Sequence, residues 1–238
     1  MSIKVVLFDL DGTLLPMDQD KFIEKYFYNL TEYMCQGGQH EPGGYYKAIW
    51  QGVKAMLLND NSVTNEEAYF KALGEIYGAD CAKEEYSKYV EFYLTKYLDG
   101  KSEAWYTSRS REIVDTLKKK GIRVALATNP VFPAVATNAR MGWVDLVPED
   151  FELVTTCDNT GYSKPNPKYY LEIAEKLKVE PADCLMVGND VDDDMPAKDT
   201  GMEVFLLTDC LINKKSKDIN EYPNGGFDEL ISYIEKNI

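Results

Sequence analysis

The sequence predicts an α/β protein in which a doubly wound parallel sheet carries an inserted, all-helical domain. Three observations support this prediction. Short apolar runs alternate with amphipathic helical segments over residues 100–238, as in sheets whose strands are connected by helices. A separate apolar run, VVLF at 5–8, lies near the start of the chain. Between these two parts, residues 18–99 have helical periodicity throughout.

The predicted strands are short and strongly apolar, which is typical of strands buried on both faces. After the first run come IRVALATN (122–129), FELVTT (151–156), DCLMVGND (183–190) and EVFLLT (203–208). Helices are predicted at REIVDTLKKKG (111–121), PAVATNARMG (133–142), PKYYLEIAEKLKV (167–179), MPAKDTG (195–201) and FDELISYIEKNI (227–238). Together, residues 1–17 and 100–238 are predicted to form the α/β core.

Residues 18–99 are predicted to fold as a separate helical domain. In DKFIEKYFYNLTEYM (20–34) and KEEYSKYVEFYLTKYL (83–98), aromatic and aliphatic residues recur at three- and four-residue spacings. Thr64 and Glu67 stand at the positions of a capping box, which indicates a helix start. We expect hinges near residues 15–16 and 100–101.

Composition excludes several classes of protein. Asp and Glu outnumber Lys and Arg by 40 to 26, a net charge of -14, which argues against a nucleic-acid-binding protein. No apolar run approaches the roughly 18 residues of a membrane span, and the chain does not open like a signal peptide. Five scattered cysteines indicate reduced thiols, and the single histidine excludes a His-based catalytic triad. We therefore expect a soluble, cytoplasmic protein that binds neither nucleic acid nor membranes.

Polar side chains follow the apolar runs, at the ends of strands that meet at one edge of a parallel sheet. They are Asp9, Asp11, Gly12 and Thr13 after the first run, Thr128 and Asn129 after the second, Lys164 before a helix, and Asn189, Asp190, Asp192, Asp193 and Asp194 after the fourth. Carboxylates, a hydroxyl group and an ammonium group are thus expected to share one cleft.

Phosphoryl transfer is the chemistry that this set of groups fits. Close carboxylates repel each other by roughly 4 kcal/mol per pair at an effective dielectric constant near 20. Mg²⁺ removes that repulsion and binds phosphate oxygens as well. One carboxylate can attack phosphorus while a second acts as acid and then as base. Hydroxyl, amide and lysine groups stabilise the charge on the phosphoryl oxygens.

The segments DLDGT, LATN, SKPNP and VGNDVDDD, in this order, resemble the four motifs of the haloacid dehalogenase (HAD) superfamily. The resemblance covers the whole chain except residues 18–99, and it implies a Rossmann-like core. The insert resembles the helical cap of phosphoglycolate phosphatase and β-phosphoglucomutase relatives. The second aspartate of DLDGT separates the chain from true dehalogenases, which lack it.

The resemblance implies a role for each matched residue. Asp9 is expected to be the nucleophile and a ligand of Mg²⁺, and Asp11 the acid and base, with its backbone carbonyl on the metal. Thr128 and Asn129 are expected to hold the phosphoryl oxygens, and Lys164 to neutralise Asp9 and the phosphoryl group. Gly12 suits a sharp turn that lets backbone N–H groups approach phosphate.

The loop after the fourth run departs from the family pattern, which has an aspartate directly after the glycine. Counted from Gly188, Asn189 takes that place, whereas counted by charge Asp190 does. Asp193 and Asp194 both fit the second acidic position of the motif. We favour Asp190 as the metal ligand and Asp194 as its support.

The sequence therefore predicts a Mg²⁺-dependent phosphatase that hydrolyses a small phosphorylated metabolite through an aspartyl-phosphate intermediate. A phosphosugar mutase with the same core is one alternative. A non-catalytic binding protein of the same fold is another. Whether the chain is a monomer or a homodimer stays open.

Overall fold

Five parallel strands form one sheet in the computed structural model, which describes residues 3–237. In sheet order they are β2 (Arg123–Leu126), β1 (Val5–Phe8), β3 (Cys184–Gly188), β4 (Glu203–Leu207) and β5 (Asn224–Gly225). β1 pairs with β2 and β3, and all of its residues are buried. The predicted parallel α/β sheet is confirmed. Residues 1 and 2, at the predicted start of the core, and Ile238, at the end of the last predicted helix, lie outside the described residues.

Helices cover both faces of the sheet, because successive side chains of a strand point to opposite faces. Val6 and Phe8 pack into an apolar cluster with three helices of the core on one face, whereas Val5 and Leu7 pack with a fourth helix, Pro167–Leu177, on the other face. These core helices are α5 (Arg109–Lys119), α6 (Ala134–Gly142), α7 (Pro167–Leu177) and α8 (Phe227–Asn237). The sheet is therefore doubly wound, as predicted.

The inserted segment consists of helices, as its periodicity predicts. They are α1 (Gln19–Met34), α2 (Pro42–Leu57), α3 (Asn65–Tyr77), α4 (Ala79–Leu94) and a 3-10 helix (Lys96–Glu103). The capping box at the start of α3 is present: Glu67 N donates to Thr64 Oγ1 at 3.2 Å, and Thr64 N donates to Glu67 Oε2 at 2.8 Å. This reciprocal pair fixes where α3 begins.

The two connections between the helical insert and the rest of the chain run side by side. Asp18 N donates to Glu103 O at 2.9 Å, and Trp105 N donates to Pro16 O at 3.0 Å. Hydrogen bonds of this kind hold the entry and the exit of the insert together. They lie close to the hinges expected from the sequence.

Two predicted elements differ from those observed. The segment 151–156 forms an isolated bridge between Val154 and Leu126 beside β2 instead of a regular strand. The predicted short helix at 195–201 is a 3-10 helix, Met195–Thr200, whose second residue is Pro196. The segment ends at Gly201, whose φ of +91° lies in the left-handed region that stops a helix.

All five cysteines are free thiols, which agrees with the absence of a predicted disulfide framework. Within residues 3–237, none of the helices has both the length and the apolar character needed to span a bilayer.

A partly exposed ion pair between Arg111 and Asp150, on the surface of the core, offers a test of stability. Arg111 Nη1 donates to Asp150 Oδ1 at 2.9 Å, its Nη2 bonds Oδ2, and Val147 N donates to Oδ2 at 2.9 Å. These bonds, chiefly that of Arg111, lower the pKa of Asp150 from 3.8 to about 2. A lowered folded-state pKa stabilises the fold above pH 4, and this contribution is lost as the pH falls towards 2.

Asp150→Asn is therefore expected to lower the free energy of unfolding by about 1–2 kcal/mol at pH 7, and by progressively less below pH 4. Urea denaturation at pH 7 and pH 3 measures both values. Asp115→Asn is the matched control, because Asp115 pairs with the same Arg111 at 3.0 Å but is 43% exposed. An equal loss for both variants, or a loss unaffected by pH, would contradict the expectation.

Candidate active site

The carboxyl ends of β1, β2 and β3 meet at one edge of the sheet. Phe8 of β1 pairs with Leu126 of β2 and with Val187 of β3, so the residues that follow emerge together. A cavity of about 420 Å³ lies at this edge. Its walls include these sequence-predicted residues: Asp9, Asp11, Thr128, Asn129, Lys164, Asp190 and Asp194. The structure thus brings together side chains that lie up to 185 positions apart in the sequence (9 to 194).

The helical insert supplies part of the same cavity. Gln19, Phe22 and Ile23 of α1 and Trp50 of α2 line it. Aromatic and aliphatic side chains from the insert therefore face the carboxylates of the core. A ligand in the cavity would contact both parts of the chain.

Lys164 lies between two aspartates at the centre of the site. Its Nζ donates to Asp9 Oδ1 at 2.8 Å and to Asp194 Oδ1 at 2.6 Å, and all three side chains are buried. Burial raises the pKa of Asp9 to about 7, although Lys164 acts in the opposite direction. Burial by itself lowers the pKa of Lys164, but the charges of Asp194 and Asp9 raise it well above its usual value. The lysine is therefore a firmly charged partner for both carboxylates.

Gly12 turns the chain directly after Asp11. Its φ of +85° belongs to the left-handed region, and a Cβ there would lie 2.3 Å from Asn189 Nδ2. Only glycine fits this turn without displacing Asn189. The next residue, Thr13, donates through Oγ1 to Asn189 Oδ1 at 2.9 Å and lies 3.4 Å from Asp9 Oδ2. Thr13 therefore links the loops after β1 and β3, a role that its place beside Gly12 did not reveal.

Thr128 and Asn129 lie two and three residues beyond the end of β2. The backbone oxygen of Thr128 accepts bonds from Tyr169 Oη at 2.8 Å and Thr155 Oγ1 at 2.7 Å, which hold the loop in place. Asn129 Oδ1 is buried and has no hydrogen-bond partner among the described residues. A buried amide oxygen without a partner favours a bound polar group or ion in the cavity.

The aspartates in the loop after β3 have different contacts. Asp194 Oδ2 accepts a bond from Asp190 N at 2.9 Å, while its other oxygen holds Lys164. Asp190 Oδ1 accepts bonds from the backbone N–H groups of Asp192 and Asp193. The side chain of Asp192 instead pairs with Lys217 at 2.7 Å and Lys215 at 3.3 Å. Asp192 thus belongs to the solvated surface.

Asp193 and Asn189 complete this loop. Asp193 lines the cavity, and burial raises its pKa to about 6. Asn189 is committed at both ends of its amide: Oδ1 accepts from Thr13 Oγ1, and Nδ2 donates to Cys210 O at 2.7 Å. These bonds leave the Asn189 amide engaged by the protein itself.

Two side chains that sequence reasoning missed contact Asp11. Gln19 donates through Nε2 to the backbone oxygen of Asp11. Arg140 of α6 is fully buried, and its Nε lies 3.3 Å from Asp11 Oδ1. Burial raises the pKa of Asp11, and the charge of Arg140 opposes that rise. A signal for Arg140 was available, because it shares the buried face of α6 with Ala136 and Thr137, where an arginine is unusual.

Known proteins are similar to this chain over most of its length. A family model for haloacid dehalogenase-like hydrolases matches residues 3–199. The chain is 27% identical over 206 residues to the bifunctional riboflavin kinase/FMN phosphatase of Arabidopsis thaliana, covering 85% of this chain but 48% of that protein. It therefore spans about half the length of the Arabidopsis relative. It is 26% identical over 208 residues to pyrophosphatase PpaX of Bacillus cereus, covering 87% of this chain and 84% of the relative.

A solved structure supports the same fold. The 2-haloacid dehalogenase from Pseudomonas syringae pv. Tomato DC3000 superposes with a TM-score of 0.66 at 20% identity, over 98% of this chain and 99% of that one. The family match includes all four motif segments and ends at residue 199. The predicted resemblance is confirmed. The chain belongs to the haloacid dehalogenase-like hydrolases.

Proposed function

We propose that the protein is a Mg²⁺-dependent phosphatase that hydrolyses a small phosphorylated metabolite through an aspartyl-phosphate on Asp9. The observation that carries the proposal is the group of Asp9, Asp11 and Lys164 in one cavity, with Lys164 2.8 Å from Asp9. The names of the relatives, an FMN phosphatase and a pyrophosphatase, support phosphate chemistry. FMN and pyrophosphate have different leaving groups, so these two relatives do not indicate which substrate this chain hydrolyses.

The reaction proceeds in two steps. A carboxylate oxygen of Asp9 attacks phosphorus, the bond to the leaving oxygen breaks, and Asp11 gives that oxygen its proton. Asp11 then accepts a proton from the water that attacks the aspartyl-phosphate, which releases phosphate and restores Asp9. Lys164 neutralises charge beside Asp9, while Thr128 and Asn129 donate hydrogen bonds to the phosphoryl oxygens.

The donor set of the cavity fits Mg²⁺. Asp9, Asp190 and Asp193 all line it, and carboxylate oxygens are the ligands that this ion prefers. The buried, unpartnered oxygen of Asn129 adds to this preference for a cation. When bound, the ion neutralises the carboxylates and the phosphate oxygens.

The residues that would hold the ion are Asp9, the backbone oxygen of Asp11, and Asp190, with Asp194 in support. Asn189 is the other candidate in the loop, but both ends of its amide are bonded within the protein. Both oxygens of Asp194 are also engaged, one by Lys164 and one by Asp190 N. These bonds favour Asp194 as the group that orients Asp190 and Lys164.

We further propose that residues 18–99 act as a cap that closes the cavity and selects the leaving group. Phe22, Ile23 and Trp50 of this segment line the cavity opposite the carboxylates. Apolar walls exclude bulk water, which strengthens the electrostatic interactions at the phosphoryl group.

The test of the proposed function is phosphate release from p-nitrophenyl phosphate with Mg²⁺ or with EDTA. We expect turnover with Mg²⁺ and at least about a hundredfold loss in EDTA, because several kcal/mol of charge stabilisation disappear with the ion. Ca²⁺ in place of Mg²⁺ is the ionic control. A mutase would need a bisphosphate primer and would show little net phosphate release, and a binding protein would show none.

The loop after β3 provides a more specific prediction. Asp190→Asn is expected to raise the Mg²⁺ concentration for half-maximal activity by about tenfold or more, because an amide is a weaker ligand than a carboxylate. Asp192→Asn is the matched control, since Asp192 pairs with surface lysines. Asp194→Asn should fall between the two. A larger metal requirement for Asp192→Asn than for Asp190→Asn would disprove this assignment of the loop.

A further inference from the structure

Arg140 is a charged side chain without exposed surface, at the boundary between the helical insert and the core. Burying a guanidinium group costs much free energy unless protein groups replace its interactions with water. Three groups do so here. Nη1 donates to Tyr97 Oη at 2.8 Å, the Phe132 ring centroid lies 4.2 Å from Cζ, and Asp11 Oδ1 lies 3.3 Å from Nε. Within residues 3–237, Asp11 supplies the only carboxylate within ion-pair distance of Arg140.

Arg140 is likewise the main described partner of the Asp11 carboxylate. No described donor forms a hydrogen bond with the Asp11 side chain, and Arg140 is its only described ion-pair partner. Asp9 differs, because Lys164 and Thr13 both contact its carboxyl group. The nucleophile is thus held by neighbouring loops, whereas the second aspartate is held by one arginine.

One oxygen of Asp11, Oδ1, faces Arg140. Asp11 Oδ1 and Arg140 Nε are both buried, and neither has an aligned hydrogen bond in the described part of the chain. They face each other at 3.3 Å, so the attraction between them is mainly electrostatic. Because Oδ1 is buried against the arginine while Asp11 lines the cavity, the oxygen presented to the cavity is Oδ2.

We propose that Arg140 is a positioning residue for Asp11. It attracts Oδ1 and thereby holds Oδ2 where the leaving oxygen of a phosphate ester receives its proton. Arg140 does not line the cavity, so it acts on the reaction through Asp11 and not through the substrate. This inference rests on the proposed phosphatase function, in which Asp11 is the acid and base.

The same arginine connects Asp11 to the insert. Tyr97 lies on the 3-10 helix at the end of the insert, and Phe22 of α1 has its ring centroid 5.9 Å from the guanidinium carbon. The insert and Asp11 therefore contact the same buried arginine.

The experiment is a double-mutant cycle on kcat/KM that combines Arg140→Met with Asp11→Asn. Ethyl phosphate has a leaving group that needs a proton, whereas p-nitrophenolate leaves without one. Arg140→Met is expected to lower kcat/KM for ethyl phosphate about tenfold more than for p-nitrophenyl phosphate. In the Asp11→Asn background, Arg140→Met should change kcat/KM by less than about twofold, because the two residues act as one unit.

Arg140→Lys keeps the charge and tests the same point if Arg140→Met folds poorly by circular dichroism. It should recover part of the ethyl phosphate activity, and it should also have no effect in the Asp11→Asn background. Arg123→Met is the matched control. Arg123 pairs with Glu152 at the start of β2, which is the end of the strand away from the cavity. Its kcat/KM should match that of the wild type for both substrates.

Two results would overturn the proposal in different ways. If the losses from Arg140 and Asp11 multiply, or if both substrates lose equally, Arg140 is a structural residue and the phosphatase function stands. If the wild-type protein hydrolyses neither ester with Mg²⁺, the proposed function is refuted, and the role of Arg140 is refuted with it.

Discussion

Replacing Asp9 with asparagine is expected to abolish turnover while leaving the fold intact. The amide has nearly the same size as the carboxylate but is a far weaker nucleophile. Asp9 is also fixed from two sides, by Lys164 at 2.8 Å and Thr13 at 3.4 Å. Loss of a covalent nucleophile normally lowers kcat by about a thousandfold or more. Steady-state assays with p-nitrophenyl phosphate and Mg²⁺ measure the loss.

A second measurement identifies the intermediate itself. Acid-quenched wild-type protein, mixed with a ³²P-labelled phosphate ester, should retain label on the chain, and Asp9→Asn should not. Asp183→Asn is the matched control, because Asp183 precedes β3 at the opposite end of the sheet and pairs with exposed Lys4. If Asp9→Asn keeps more than about a hundredth of the wild-type rate, Asp9 is not the nucleophile.

Much of the site could be predicted from the sequence because its residues occupy strand ends. An apolar run that is buried on both faces has a visible end, and the parallel order places all such ends at one edge. Asp9 follows β1 directly, Thr128 and Asp190 lie two residues beyond the ends of β2 and β3, and all three line the cavity. Lys164 lies in a turn before a helix and not at a strand end, so its role beside Asp9 was inferred from the family resemblance.

The partners of these residues could not be predicted in the same way. Arg140 lies on a helix, and its contact with Asp11 depends on how α6 packs on the sheet. The pairing of Thr13 with Asn189 joins loops 176 positions apart, which local spacing does not encode. Side-chain contacts of this kind follow from tertiary packing, so the sequence pattern indicates the residue types without their partners.

The segment at 151–156 shows where the prediction of strands from sequence patterns fails. Its β-branched and apolar residues favour extended backbone, and Leu126 N donates to Leu153 O at 2.8 Å. Only Val154 completes a bridge to β2, so the segment follows the sheet edge without becoming a strand. Conversely, β5 comprises just Asn224 and Gly225, which is too short for any alternation to be visible. Periodicity predicts long elements better than edge contacts.

Lys164→Met is expected to have the second large effect, on both activity and stability. Lys164 is the only described cation within 4 Å of Asp9 and of Asp194, and all three groups are buried. Without it, two carboxylates remain in a poorly solvated site. Breaking a buried pair from one side typically costs about 3–5 kcal/mol of stability. The phosphoryl group also loses a neutralising partner, so we expect kcat to fall by about a hundredfold or more.

The two effects can be separated by one further substitution. Asp194→Asn in the Lys164→Met background removes one of the two unpaired carboxylates, so urea denaturation should show that part of the lost stability returns. The activity should not return, because the charge beside Asp9 is still missing. Lys176→Met is the matched control, since Lys176 forms a surface pair with Glu172 that is worth less than about 1 kcal/mol. If Lys164→Met keeps wild-type activity, or if the double variant is less stable than Lys164→Met, then Lys164 does not balance these two carboxylates.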